Sequence, residues 1–222
     1  MYTRYAVYFT PNGALAARGA GWLGWDIATG LPVGHPDLDG VDLAELTVAP
    51  RKYGFHGTIK PPFFLADGTS AEALQAEIAA LIERMTVVRL DGLKVARLGR
   101  FLALIPLGDQ TELASRAAQI VTGLDRYRAP TSEAELARRR KSVLSPAQEQ
   151  HLADWGYPYV MDQFRFHLTL SGQVDGTVGV LPIAEAHFAD VLPSPFVVDS
   201  LTFAGQGEDG MFREIQRYPL SP

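Results

Sequence analysis

Residues 52–64 read KYGFHGTIKPPFF, a stretch in which a titratable imidazole, His56, sits inside an apolar run and a threonine follows two residues later. Residues 164–172, FRFHLTLSG, repeat the arrangement with His167 and Thr169. On a strand, residues i and i+2 face the same side. His56, Thr58 and Lys60 therefore share one face and Phe55, Gly57 and Ile59 the other. In the second stretch Arg165, His167, Thr169 and Ser171 oppose Phe164, Phe166, Leu168 and Leu170. Each strand is expected to bury its apolar face on a helix layer and to present a histidine and a hydroxyl on the other.

Working outward, each motif strand is followed by the same order of elements: a helix, a strand, a turn and a strand. The same number of positions separates His56 from Phe101, which opens FLALIPL, and His167 from Phe212, which opens FREIQRYPL. That order suggests an internal duplication. A pseudo-twofold axis between the copies would gather two imidazoles and two hydroxyls around one cleft. The expected unit is a single domain over 1–222, with a first lobe over about 1–108, a second over about 109–222 and a helical insertion over about 124–160.

The remaining segments follow from local pattern. YAVYF reads as a strand, closed by the turn residues of TPNG. ALAARGAGWLG reads as a short helix followed by loop. Pro61-Pro62 reads as a breaker after FHGTI. A helix over about 71–85 carries Ala73, Leu74, Ile78, Leu81 and Ile82 on one face, with Thr69 and Glu72 in the form of a capping box. VVRLDGLKVARLGRFLALIPLG reads as two or three strands. Helical pattern resumes after Asp109, and Ser132/Glu135 and Ser145/Gln148 cap two more short helices, the second with Pro146 at its first position. FRFHLTL follows as a strand, 181–191 as a helix, and FVVDSLTFAG and FREIQRYPL as closing strands.

Composition narrows the function classes. A chain of 222 residues, 47% hydrophobic, can bury a substantial core. Its net charge of −5 and pI near 5.5 lack the basic footprint of a general duplex binder, though a local phosphate pocket is compatible with them. There is no cysteine, so thiolate nucleophiles and cysteine metal sites are absent. The N-terminal apolar run is too short for a signal core or a membrane span. A soluble cytoplasmic protein is expected.

Two imidazoles and two threonines suit a phosphodiester. One neutral imidazole can take a proton from an attacking water or hydroxyl while the other, protonated, gives one to the leaving oxygen; a reference pKa near 6.5 allows both roles. Threonine hydroxyls can donate to the non-bridging oxygens. No metal is needed. The same pair can run cyclisation, hydrolysis or ligation, so the residues define a reaction family and not its direction. A single His-x-Thr is weak: with 13 threonines and five histidines in the chain, about 0.3 matches are expected by chance. Two matches, each after a phenylalanine and before an aliphatic residue, are a stronger signal than two core histidines would give.

FHGTI and FHLTL resemble the paired signatures of the two-histidine phosphoesterase superfamily, which includes cyclic nucleotide phosphodiesterases and RNA 2′,5′ ligases. The strings RKYGFHGTIKPPF, SEAELARRR, WGYPYV and FRFHLTLSG look more specifically like its branch associated with bacterial phosphonate utilisation. The resemblance covers nearly the whole chain. It implies a bilobal α+β fold with a concave antiparallel-sheet cleft and helices outside. It also implies no metal cofactor, catalysis by His56 and His167, and Thr58 and Thr169 on the phosphate.

Lys60 and Arg165 are candidates for a second phosphate or carboxylate, or else strand-end cations reaching solvent. The run 137–141, ARRRK, reads as a solvated helix terminus, and Tyr157 and Tyr159 as packing of the insertion with base or sugar stacking as the alternative. His35, His151 and His187 have no hydroxyl at the motif spacing and read as structural or surface groups. Three functions stay open. The first is a metal-independent cyclic phosphodiesterase or phosphoesterase for a small phosphorylated sugar or nucleotide. The second is RNA end processing at 2′,3′-cyclic or 2′,5′ linkages, against which the acidic charge counts. The third is a noncatalytic binder of a phosphorylated metabolite.

Overall fold

The computed structural model describes residues 2–173 and 179–222. In chain order its elements are β1 (Arg4–Phe9), α1 (Gly13–Leu23), β2 (Trp25–Asp26), β3 (Leu31–Pro32), α2 (Leu43–Leu46), α3 (Val48–Arg51), β4 (Gly57–Phe63) and α4 (Ala71–Ile82). There follow β5 (Val88–Leu90), β6 (Gly92–Leu98), β7 (Phe101–Leu107), α5 (Thr111–Gly123), α6 (Glu133–Arg139) and α7 (Pro146–Trp155). The chain closes with β8 (Leu168–Thr169), α8 (Val180–Phe188), β9 (Phe196–Val198), β10 (Ser200–Gln206) and β11 (Phe212–Pro219).

Seven strands form one antiparallel sheet in the order β11-β10-β1-β4-β8-β7-β6, and β2–β3 and β5–β9 form separate ribbons. The fold is α+β. In β1, alternation sends Tyr5, Val7 and Phe9 into the main core and Ala6 and Tyr8 into a smaller cluster on the opposite face. The main core lies under the helices: Trp22 and Leu23 of α1, Leu74 and Ile78 of α4, Leu113 and Ile120 of α5 and Phe188 of α8 all join it. Burying a leucine or phenylalanine of this kind is worth roughly 1.5–3 kcal/mol, so this face holds the sheet. By contrast α6 buries no residue and α7 only Leu152.

The expected elements are present, with several differences. Of FRFHLTL only Leu168–Thr169 is strand, and His56 lies just before β4. Pro61 and Pro62 do not end the strand. β8 is short enough that β4 beyond Gly57 has a strand partner on one side only, where proline is tolerated at an edge or bulge. The α4 cap is Ser70, which accepts from the Ala73 amide, while Thr69 donates to the Ala66 carbonyl. FVVDSLTFAG breaks at Asp199 into β9 and β10, which belong to different sheets. Finally β7 and β11, which the equal spacing paired, lie at unlike places: β7 adjoins β8, whereas β11 is the sheet edge. Reading outward from β4–β8, the strand opposite β7 is β1 and the strand opposite β6 is β10.

A bulge also overturns the parity expected for Lys60. Tyr8 pairs with Thr58, but Val7 pairs with Lys60, so one extra residue, Ile59, is inserted into β4 and its alternation slips. Lys60 thereby joins the Val7 face. It is 2% exposed, donates from Nζ to the Val121 carbonyl at 3.1 Å and lies 5.1 Å from the Phe63 ring centre. Burial holds its pKa down at about 8, partly offset by Asp125. Lys60 is thus a helix-side core residue, away from the histidine face. A lysine whose folded pKa is depressed destabilises the protein at neutral pH, and the penalty fades as pH rises from about 8 toward 10.5. Lys60→Met is therefore expected to raise stability at pH 7 by on the order of 1–2 kcal/mol, with the gain shrinking at pH 10. Chemical denaturation at the two pH values measures this, and a loss of stability at pH 7 would refute it.

Candidate active site

The site is organised by one register. Gly57 of β4 lies opposite Leu168 of β8 in an antiparallel pair. Continued by one residue in each direction, that register sets His56 across from Thr169 and Thr58 across from His167. Opposed side chains on one face have Cβ atoms about 4.5–5.5 Å apart. The two His-x-Thr motifs are thus interleaved crosswise. On the other face Phe166 packs so closely on Gly57 that a Cβ there would lie 2.3 Å from the ring Cζ. Phe9, Phe166 and Phe196, with ring centres 5.3–6.0 Å apart, form the apolar floor beneath the pair.

Each imidazole is fixed in the same way. His56 Nδ1 donates to the Gly54 carbonyl at 3.0 Å, and His167 Nδ1 donates to the Arg165 carbonyl at 2.7 Å. A carbonyl only accepts, so the proton of the neutral ring resides on Nδ1 and each Nε2 is left with its lone pair. Gly54 supplies its carbonyl from a turn at φ 71°, a conformation that glycine adopts without strain. The Thr58 hydroxyl donates to His56 Nε2 at 3.0 Å.

Surroundings separate the two rings. His56 is half-buried, with the Tyr8 ring 3.8 Å away between centres and Tyr53 at 6.1 Å. Burial lowers its pKa to about 4, the Gly54 hydrogen bond works against the shift, and His167 adds like-charge repulsion. His167 adjoins Phe101 at 5.5 Å, and burial lowers its pKa too, opposed by its bond to Arg165. A cavity of about 260 Å³ opens at this face, lined by His56, Thr169, Ser171, Tyr53, Phe101 and the α3 residues Ala49 and Pro50 among others. Ser171 also ties β8 to β7 by accepting from the Leu102 amide.

Of the residues singled out from sequence, His56, Thr58, His167 and Thr169 come together, and Lys60 does not. Arg165 is exposed beside His167 and contributes its carbonyl. Arg138, Arg139 and Arg140 are paired with Glu135 and Glu149 at the end of α6 and the start of α7. His35 is bonded to Arg51, His151 to Asp162, and His187 packs on Trp22. Tyr159 is exposed; Tyr157 comes near enough to Tyr53 to affect its own ionisation. Sequence reasoning missed Tyr8, Tyr53 and the α3 wall. The residue types of YAVYF mark a strand and do not say which of its side chains meets His56.

With this geometry described, the chain can be compared with known proteins. A family model, Protein of unknown function (DUF1045), matches residues 58–213. The chain belongs to that family. The chain is 38% identical over 231 aligned residues to a Janthinobacterium sp. protein named ribose 1,5-bisphosphate phosphokinase PhnN, covering 99% of this chain and 51% of that one. A Laribacter hongkongensis protein of the same name is 34% identical over 211 residues, covering 93% and 49%. The chain therefore spans about half the length of the curated relatives it matches. Among solved structures, E. coli LigT aligns over 100% of both chains at 15% identity with a TM-score of 0.48, and a phosphoesterase over 99% of both at 17% and 0.47. The fold description itself rests on the strand order.

The depressed pKa of His56 has a signed consequence. Its folded value, about 4, lies below the usual 6.5, so the unfolded chain binds the extra proton first as pH falls. The resulting stability, on the order of 3 kcal/mol, is complete above pH 6.5 and lost as pH falls from there through 4. A His56→Gln variant is expected to show a flatter stability profile over that window by urea unfolding, and an identical slope would contradict the assignment. A bound phosphate should raise the His56 pKa, which imidazole NMR reads directly.

Proposed function

We propose that this chain is a phosphoesterase that uses the two imidazoles in place of a metal and opens a cyclic phosphodiester on a small phosphorylated sugar. The observation that carries this is the crosswise pair: two Nε2 atoms, each freed by an Nδ1 bond to a backbone carbonyl, with a threonine in each motif and a cavity of about 260 Å³ lined by His56 and Thr169. His56, held neutral, accepts the proton of the attacking water. His167 gives its proton to the leaving alkoxide once the bound anion favours the charged ring. The phosphorus–oxygen bond to water forms, the ring ester bond breaks, and a phosphomonoester with a free hydroxyl results. Thr58 moves its hydrogen bond from His56 to a non-bridging oxygen, and Thr169 serves the opposite one.

The relatives' name suggests the substrate class. A phosphokinase that acts on ribose 1,5-bisphosphate needs that bisphosphate to be made. Opening a five-membered cyclic phosphate on the O1 and O2 of ribose 5-phosphate, with the bond to O2 broken, would make it. The kinase chemistry itself we assign to the part of those relatives outside this chain, because no G-x-x-x-x-G-K-[ST] nucleotide loop occurs in the sequence. Two consecutive steps on one polypeptide would then pass a phosphorylated pentose between halves.

We further infer a pseudo-twofold duplication in which β1-α1-β4-α4-β5-β6 corresponds to β7-α5-β8-α8-β9-β10. The mirrored sheet positions support it. The boundary between copies then falls just before β7, β11 is an added edge strand, and α6–α7 is the insertion.

Hydrolysis of the 1,2-cyclic phosphate of ribose 5-phosphate, followed by ³¹P NMR with and without EDTA, tests the reading. Turnover is expected in both conditions. No opening of any cyclic phosphodiester would sink the assignment, and activity that EDTA abolishes and a divalent ion restores would take the chemistry away from the imidazoles. His56→Ala and His167→Ala should each lower kcat by about 10² to 10⁴, the double variant should be little worse than the more damaging single one, and Thr58→Ala or Thr169→Ala should cost less. Near-normal turnover in both histidine variants would leave a binding role standing.

A further inference from the structure

We propose that Tyr8, Arg4 and Tyr53 form a second anion subsite beside His56, which takes the phosphate of the substrate that does not react. The case begins with the Tyr8 hydroxyl. Tyr8 is fully buried, and its hydroxyl has no hydrogen-bond partner among the described residues. A buried hydroxyl left unpaired costs about 1–3 kcal/mol, and phenylalanine would supply the same ring to the strand without that cost. The ring is pinned by the sheet, because Tyr8 pairs with Thr58 on one side and Thr202 on the other. A group held rigidly and left unsatisfied is accounted for if a ligand completes it.

The surrounding charge indicates which ligand. Arg4 lies on the same face of β1 and, like Tyr8 and Tyr53, packs on the Phe212 ring, at 5.9 Å from its centre against 5.8 Å and 5.3 Å between ring centres for the two tyrosines. Its Nε donates to Gln206 Oε1 at 2.6 Å and its guanidinium lies over the Phe212 and Phe64 rings. Among the described residues Arg4 has no carboxylate partner in an ion pair. Phenol donors gathered around a cation that no acid neutralises fit an anionic oxygen, and phosphate above all. Burial raises the pKa of Tyr8, so it remains a donor at neutral pH. In the ligand-free chain Tyr53 packs on the cluster that holds Tyr8 and also lines the cavity at His56.

This subsite deepens the proposed function and rests on it for the identity of its ligand, while binding can be measured without turnover. Calorimetric titration of ribose 5-phosphate into the wild-type chain, Tyr8→Phe and Arg4→Gln is the test. Saturable binding is expected, weakened about tenfold or more in each variant, which corresponds to one lost hydrogen bond to a charged group. The melting temperature of ligand-free Tyr8→Phe should be no lower than that of the wild type, since the variant removes an unpaired hydroxyl. Affinities within twofold of the wild type in both variants, no binding by the wild type, or a lowered melting temperature for Tyr8→Phe would overturn the proposal. Tyr8-dependent binding without hydrolysis of any cyclic phosphodiester would preserve the subsite and discard the catalytic reading.

Discussion

Phe166 rests on the backbone of Gly57, and that contact sets the register on which the rest of the site depends. Any side chain at 57 would push the ring away, with a Cβ only 2.3 Å from it. With the ring seated, Leu168 is drawn opposite Gly57, and the histidine of each motif falls beside the threonine of the other. A slip of one residue in the second motif would turn His167 and Thr169 into the apolar floor and Phe166 into the cleft. The floor of Phe9, Phe166 and Phe196 makes such a slip expensive, so packing on one face of the sheet enforces chemical geometry on the other.

The same economy governs the imidazoles. Among the described residues neither is oriented by a carboxylate; each uses the carbonyl two residues earlier in the chain, that of Gly54 or Arg165. Orientation is therefore local and built into the motif, while the electrostatic environment is tertiary. His56 is crowded by Tyr8 and Tyr53 and titrates near 4. Identical local motifs consequently acquire different proton affinities, and that difference divides the roles of base and acid in the proposed reaction.

Much of this was legible in the residues. Alternation in FHGTI and FRFHLTL placed the four motif side chains on one face, and the capping pairs Ser132/Glu135 and Ser145/Gln148 marked α6 and α7 correctly. What failed was non-local. The bulge at Ile59 that carries Lys60 to the helix side arises from pairing with β1, which no window around Lys60 contains. The mirrored places of β7 and β1 in the sheet depend on strand order across the whole sheet. Tyr8 shows the limit most clearly, since its role follows from a contact with His56 far along the chain and from an absent hydrogen bond.

Imidazole NMR of the chain labelled with ¹⁵N-histidine, titrated with a non-hydrolysable cyclic phosphonate, tests the central claim most directly. The account predicts that one equivalent of ligand shifts the Nε2 resonances of His56 and His167 together while both Nδ1 resonances keep their protonated, carbonyl-bonded signature. A ligand that perturbs only one of the two rings, or a neutral tautomer with the proton on Nε2 in either, would contradict it.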